Sequence, residues 1–269
     1  MAVTMTRHCC ALLLLLAVCR PATAINVAVF NFEMKSATPE WKWLEKGLSD
    51  RILTDLFQDR SVTIVKRDLM QRIADQMKWV PEMMGNEQRI TEISRMLRPE
   101  VLISGVFEVE RGQIKMSVML IDMNQHDQIR RREVEVPVDR ALEGVGRLSD
   151  ELLASLTNRP PDAKRDEMPR WTSSIPAARA LYEGIDYYDK GEYGEAWLKF
   201  RQAERADEGY VECKYWIGRM YHFMNRYRHA RRAYEQFVYL DARHPRMGDA
   251  IKEYLYTFEA LDAPLADLG

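Results

Sequence analysis

Six positions in the second half of the chain repeat at a spacing of 34 residues: Gly184 returns as Gly218, Tyr187 as Tyr221, Tyr193 as Tyr227, Ala196 as Ala230, Phe200 as Tyr234 and Asp207 as Asp241. This period constrains the fold more than any other feature. A unit of this length is one pair of antiparallel helices that cannot bury its apolar face alone and must stack on the next pair. Small residues let the helices of a pair approach, and large aromatics fill the space between repeats. Pro245 ends the second repeat, and residues 250–261 read as a capping helix that shields it. An all-α unit is therefore expected over residues 175–262.

The residues that carry the period, Gly184, Tyr187, Ala196 and Phe200 with Gly218, Tyr221, Ala230 and Tyr234, resemble tetratricopeptide repeats. The resemblance implies that the first helix of each pair lines a concave groove. Mapped by the period, that groove is expected to carry Leu181, Ile185 and Tyr188 from the first repeat and Glu212, Tyr215, Arg219 and His222 from the second. The last four are spaced three and four apart, which puts them on one helical face. Aromatic and arginine side chains on a rigid curved surface suit the anchoring of a bound peptide. Two repeats make a shallow surface, so the alternative is that they stack on the first domain or on a second copy of the chain. Arg226, Arg228, Arg231 and Arg232 read as a solvated basic face, with an acidic partner or anionic headgroups as the alternative.

The first half reads differently. Residues 25–32 are apolar on both faces, which suits a central strand: Val27, Val29 and Asn31 would face one way and Ala28, Phe30 and Phe32 the other. A helix over residues 41–58 follows, with Leu44, Leu48, Ile52 and Leu56 every four residues and a solvated face of Glu45, Lys46, Asp50 and Asp55. At residues 61–77 the β-branched run Val62 to Val65 passes at once into a helix carrying Leu69, Ile73 and Met77, with Asp68 and Gln71 reading as a capping box. Residues 78–89 read as a loop that folds Met83 and Met84 back over the core, and a helix over 87–97 stops at Pro99. Strands are expected over 101–109 and 114–121, joined by a hairpin turn at Arg111-Gly112, and over 129–138, an edge strand guarded by charges and Pro137. A helix over 139–157 closes the unit, and a proline-rich linker, residues 158–174, leads to the repeats.

The phrases VAVFNF, VTIVKRDLMQRIADQM and VLISGVFEVERGQIKMSVMLID resemble the CsgG-like family, whose related domains occur in FlgO-like proteins and at the N-terminus of TolB. The resemblance covers residues 25–157 and implies a mixed β-sheet with packed helices, so the fold class expected for the chain is α+β followed by an all-α repeat unit. It further implies a bacterial envelope protein that assembles or scaffolds, and it brings no catalytic residues. In CsgG the pore arises from long inserted hairpins. Here the connections are short and no segment alternates for barrel length, which argues against a pore.

Arg7, the apolar run from Cys9 to Cys19 and the small residues up to Ala24 form the three regions of a secretory signal over residues 1–24, with cleavage expected after Ala24. That run is too short for a membrane-spanning helix. A lipid anchor on Cys19 is the alternative, against which Val18 stands where such signals carry Gly or Ala. The chain is expected to be periplasmic, and loss of the signal leaves Cys213 alone, so no internal disulfide forms. Cys213, beside Tyr215 and Trp216, reads as a small buried hydrophobe. The formal net charge of -2 gives no basic balance for nucleic acid.

The chemical inventory is sparse. There is no HExxH, no GxSxG, no paired cysteine and no glycine-rich phosphate loop beyond the signal. Asp122, His126 and Asp127 are close in sequence, but turns recruit Asp for backbone reasons. No cofactor, metal site or catalytic residue is expected. Three functions stand at this stage: a non-enzymatic envelope adaptor that binds protein partners through the repeats, a curli-like secretion component that forms homo-oligomers through the first domain, and a hydrolase built on Asp122, His126 and Asp127.

Overall fold

The computed structural model describes residues 24–123, 129–159, 172–240 and 244–262. The signal segment up to residue 23, most of the 158–174 linker, His126 and Asp127 lie outside them. The first unit is a mixed sheet packed by helices on both faces. Strand β1 (Ile25–Val29) lies between β3 (Val62–Ile64) and β4 (Val101–Glu110), parallel to both, with Val27 opposite Ile64 and Val29 opposite Ile103. Strands β5 (Gln113–Asp122) and β6 (Ile129–Pro137) continue antiparallel, so the order is β3-β1-β4-β5-β6, and β6 is an edge. The β4–β5 hairpin closes through Arg111 and Gly112 at φ of 50° and 76°, the left-handed pair that a two-residue turn requires.

The predicted alternation of the first strand breaks after Phe30. The chain leaves β1 there and resumes as a two-residue strand, β2 (Glu33–Met34), beside β4. Phe32 consequently turns to the side of Val27 and Val29. It fits only because position 105 is glycine: a Cβ there would lie 2.3 Å from the Phe32 ring.

Helices α1 (Leu44–Phe57) and α4 (Ala141–Thr157) cover one face of the sheet with Leu48, Ile52, Val145 and Leu148. Helices α2 (Arg67–Met77) and α3 (Glu87–Leu97) cover the other, with Ile73, Ile90 and Ile93 packed on Ala28, Phe30 and Leu102. Met84 is buried in that second core, so the segment before α3 does fold back. Asp68 is not the N-cap residue. Helix α2 starts earlier, after Lys66, and Gln71 instead accepts from Asn31 Nδ2 at 3.1 Å and donates to Asp75 at 2.8 Å.

Beyond residue 172 the described residues form five helices: α5 (Ile175–Asp189), α6 (Tyr193–Ala206), α7 (Val211–Phe223), α8 (Tyr227–Leu240) and α9 (Met247–Asp262). Ser174 caps α5 by accepting from Ala177 N at 3.3 Å. In the first hairpin a Cβ on Gly184 would lie 2.7 Å from the Phe200 ring, and in the second a Cβ on Gly218 would lie 2.7 Å from the Tyr234 ring. Ala196 and Ala230 are fully buried at matching places, and Tyr187 and Tyr221 pack at the edge of the same core. The two hairpins thus solve one packing problem in one way.

The expected solvated face of α1 is instead an interface with this helical unit. Trp43 stacks on Tyr182 with ring centroids 6.2 Å apart, Lys46 Nζ reaches Asp186 at 3.0 Å and Asp189 at 2.9 Å, and Asp50 is buried 3.7 Å from Arg246. One apolar cluster runs from the sheet through α1 and α4 into all the helical hairpins.

Candidate functional site

Of the seven side chains expected to line an open groove, four are closed off. Leu181, Ile185, Glu212 and Tyr215 are buried, because the face that carries them is covered by α1, by the segment 244–246 and by α9. The expectation that they meet a peptide is therefore corrected. Tyr188, Arg219 and His222 remain partly exposed and lie toward the C-terminal ends of α5 and α7.

These open residues form a cage. The Arg219 guanidinium lies 5.0 Å from the Tyr188 ring, 5.6 Å from Trp216 and 6.0 Å from Tyr215. Such placement favours a delocalised cation over an aromatic face. Burial works against the charge of Arg219, while Tyr215, Tyr188, Tyr234 and Glu253 favour it and leave its pKa raised. Burial likewise raises the phenol of Tyr188. Among the described residues Arg219 makes no ion pair or hydrogen bond, so its N–H groups are available. His222 closes one side: its Nδ1 lies 2.7 Å from Glu253 Oε2, out of line for a linear hydrogen bond, and its ring stacks on Tyr256. Tyr193 and Phe223 extend the aromatic surface, with ring centroids 4.1 Å apart.

Beneath α7 lies a second polar constellation, which sequence reasoning missed. Glu212 Oε1 accepts from Arg246 Nε at 2.7 Å and Trp216 Nε1 at 3.2 Å. Its Oε2 lies 2.5 Å from His244 Nε2, out of line for a hydrogen bond. His244 Nδ1 accepts from the Arg246 backbone N–H at 3.1 Å. Burial opposes the charge of Glu212, yet His244 and Arg246 prevail and hold its carboxyl at about 2. The network forms one wall of a cavity of about 260 Å³ between the two units, whose apolar floor is Leu53, Phe57 and Ile64. No sequence signal pointed to it, since His244 and Arg246 fall in a segment with no apolar period.

Cys213 is fully buried, and burial pushes its thiol well up, so it packs as a small hydrophobe and is not a poised nucleophile. Asp122, in β5, is the one member of the suggested acid-base trio within the described residues.

No family model matches the chain, and no curated protein matches it. Among solved structures it is similar to TolB from Acinetobacter baumannii, at 17% identity over 52% of this chain and 30% of that chain, with a TM-score of 0.36. It is similar to the LpoB C-terminal domain from Salmonella enterica at 12% identity over 46% of this chain and 90% of that chain, TM-score 0.29. Lipoprotein GNA1162 from Neisseria meningitidis follows at 10% identity over 50% of this chain and 99% of that chain, TM-score 0.35. The chain thus spans less than a third of the TolB chain. Similarity at this level carries no weight for fold or function.

Proposed function

We propose that the chain is a non-enzymatic adaptor of the bacterial cell envelope, exported to the periplasm, in which a CsgG/TolB-N-like unit supports tetratricopeptide-like repeats that bind a protein partner. The observation that carries this reading is the Arg219 cage. A guanidinium positioned by three aromatic rings and left with its donors unused is suited to gripping an acceptor on another molecule. Tyr188, Arg219 and His222 are the anchors in this reading, and the basic run along α8 lies on the helix after them. Residues 25–157 and 175–262 act as support and reader, joined by the stretch 158–174.

The test is capture from envelope extract by the chain from Ile25 onward, run beside Arg219→Ala and Tyr188→Ala. A specific partner, once identified and purified, should bind at least about tenfold more weakly to each variant, the usual size of an anchor loss. Partners held equally by all three proteins would remove the cage from the binding surface.

A further inference from the structure

Helix α9 is the last helix among the described residues, and one stripe of its exposed surface is apolar. Here Ala250 and Thr257 point inward and are fully buried, while Ile251, Leu255 and Phe258 are 40%, 55% and 39% exposed. Their spacing of four and three is that of a coiled-coil seam. One flank of the seam, Met247 and Tyr254, packs on the chain's own core. The other flank carries Lys252 and Glu259, seven residues apart and so on one side of the helix. Neither has an ion pair or hydrogen bond among the described residues.

We infer that this seam is a self-association face, covered by α9 of a second copy in antiparallel orientation about a twofold axis. The charges select both the occupant and its direction. In an antiparallel pair, residues on the same flank of the two helices meet, so Lys252 of one copy faces Glu259 of the other, and the twofold repeats the match. A parallel pair would instead set each charge against the flank of Met247 and Tyr254, where it finds no opposite sign. The axis passes between Leu255 and Phe258 and stacks each of these on the other in its mate. A 16-residue helix is about 24 Å long, which is short for an interface, so the dimer should dissociate on dilution in the micromolar range. This inference does not rest on a binding role for the Arg219 cage, although Glu253 and Tyr256 of the same helix meet His222 at the side of that cage.

Sedimentation equilibrium on the chain from Ile25 onward decides it. The expected result is a monomer–dimer equilibrium that Leu255→Glu abolishes without lowering the melting temperature, because Leu255 is exposed in the monomer. Lys252→Glu should weaken the dimer about tenfold by turning two attractive contacts repulsive, and Lys252→Glu combined with Glu259→Lys should restore it. A chain that stays monomeric at high micromolar concentration overturns the inference, as does a dimer indifferent to Leu255→Glu. So does a double charge swap that associates no better than the single one, which would mean that the face takes some other occupant.

Discussion

Glu212 and Gly184 show how differently two buried positions announce themselves. The glycine was legible, because Gly184 and Gly218 stand one period apart and a helix position that admits only glycine must lie under something large. An added methyl there would press into the Phe200 or Tyr234 ring 2.7 Å away, so Gly184→Ala and Gly218→Ala should each cost about 1–3 kcal/mol in urea denaturation. Glu212 was misread as a groove residue. Its partner Arg246 lies 34 residues on, in a segment whose pattern says nothing of burial. A carboxyl held at about 2 against an ordinary 4.5 stabilises the fold at pH values above 4.5 and loses that contribution as pH falls toward 2. The amount is about 3 kcal/mol at neutral pH. Glu212→Gln should abolish this share of the acid sensitivity and, by leaving Arg246 buried against a neutral amide, cost about 3–5 kcal/mol at pH 7. Parallel acid profiles for the two proteins, measured by urea denaturation at pH 7 and pH 3, would show that the carboxylate is not so held.

At the scale of elements, the sequence showed what is local and hid what is docked. The β-branched strand Val62–Ile64, the hairpin at Arg111-Gly112 and the four-residue recurrence of α1 are set by neighbours in the chain, and periodicity reveals them. The kink after Phe30 was not visible, since it depends on room that Gly105 makes on a strand some 70 residues away. Nor was the fate of α1's polar face. Lys46 and Asp50 look solvated on a helical wheel, and only the arrival of α5 and the 244–246 segment turns them into an interface. Trp43 is the apolar centre of that contact. Trp43→Ala should lower stability by about 3 kcal/mol and loosen one unit from the other. Unfolding followed by fluorescence and by far-UV circular dichroism would then cease to coincide. A single unshifted transition by both probes would mean that the stacking on Tyr182 does not join the units.

The whole molecule is therefore two architectures with one interior. The expected separation into a sheet unit and a helical unit is visible in the element order, but the core is shared: Leu48 and Ile52 of α1 belong to the same apolar cluster as Leu181 of α5 and Phe237 of α8. The alternative that the repeats stack on the first unit, weighed from their shallow surface, describes much of this arrangement. The exposed seam on α9 leaves the opposite end of the stack for other contacts. The stacking of Trp43 on Tyr182 has a mechanical consequence. A load applied at the Arg219 cage would pass through α5 into α1 and the sheet as through a riveted joint, whereas a unit hung only on the segment before Ile175 would swing free and let the load dissipate. Under the proposed binding role, a partner gripped there would pull on the shared core and the sheet, not on a free arm.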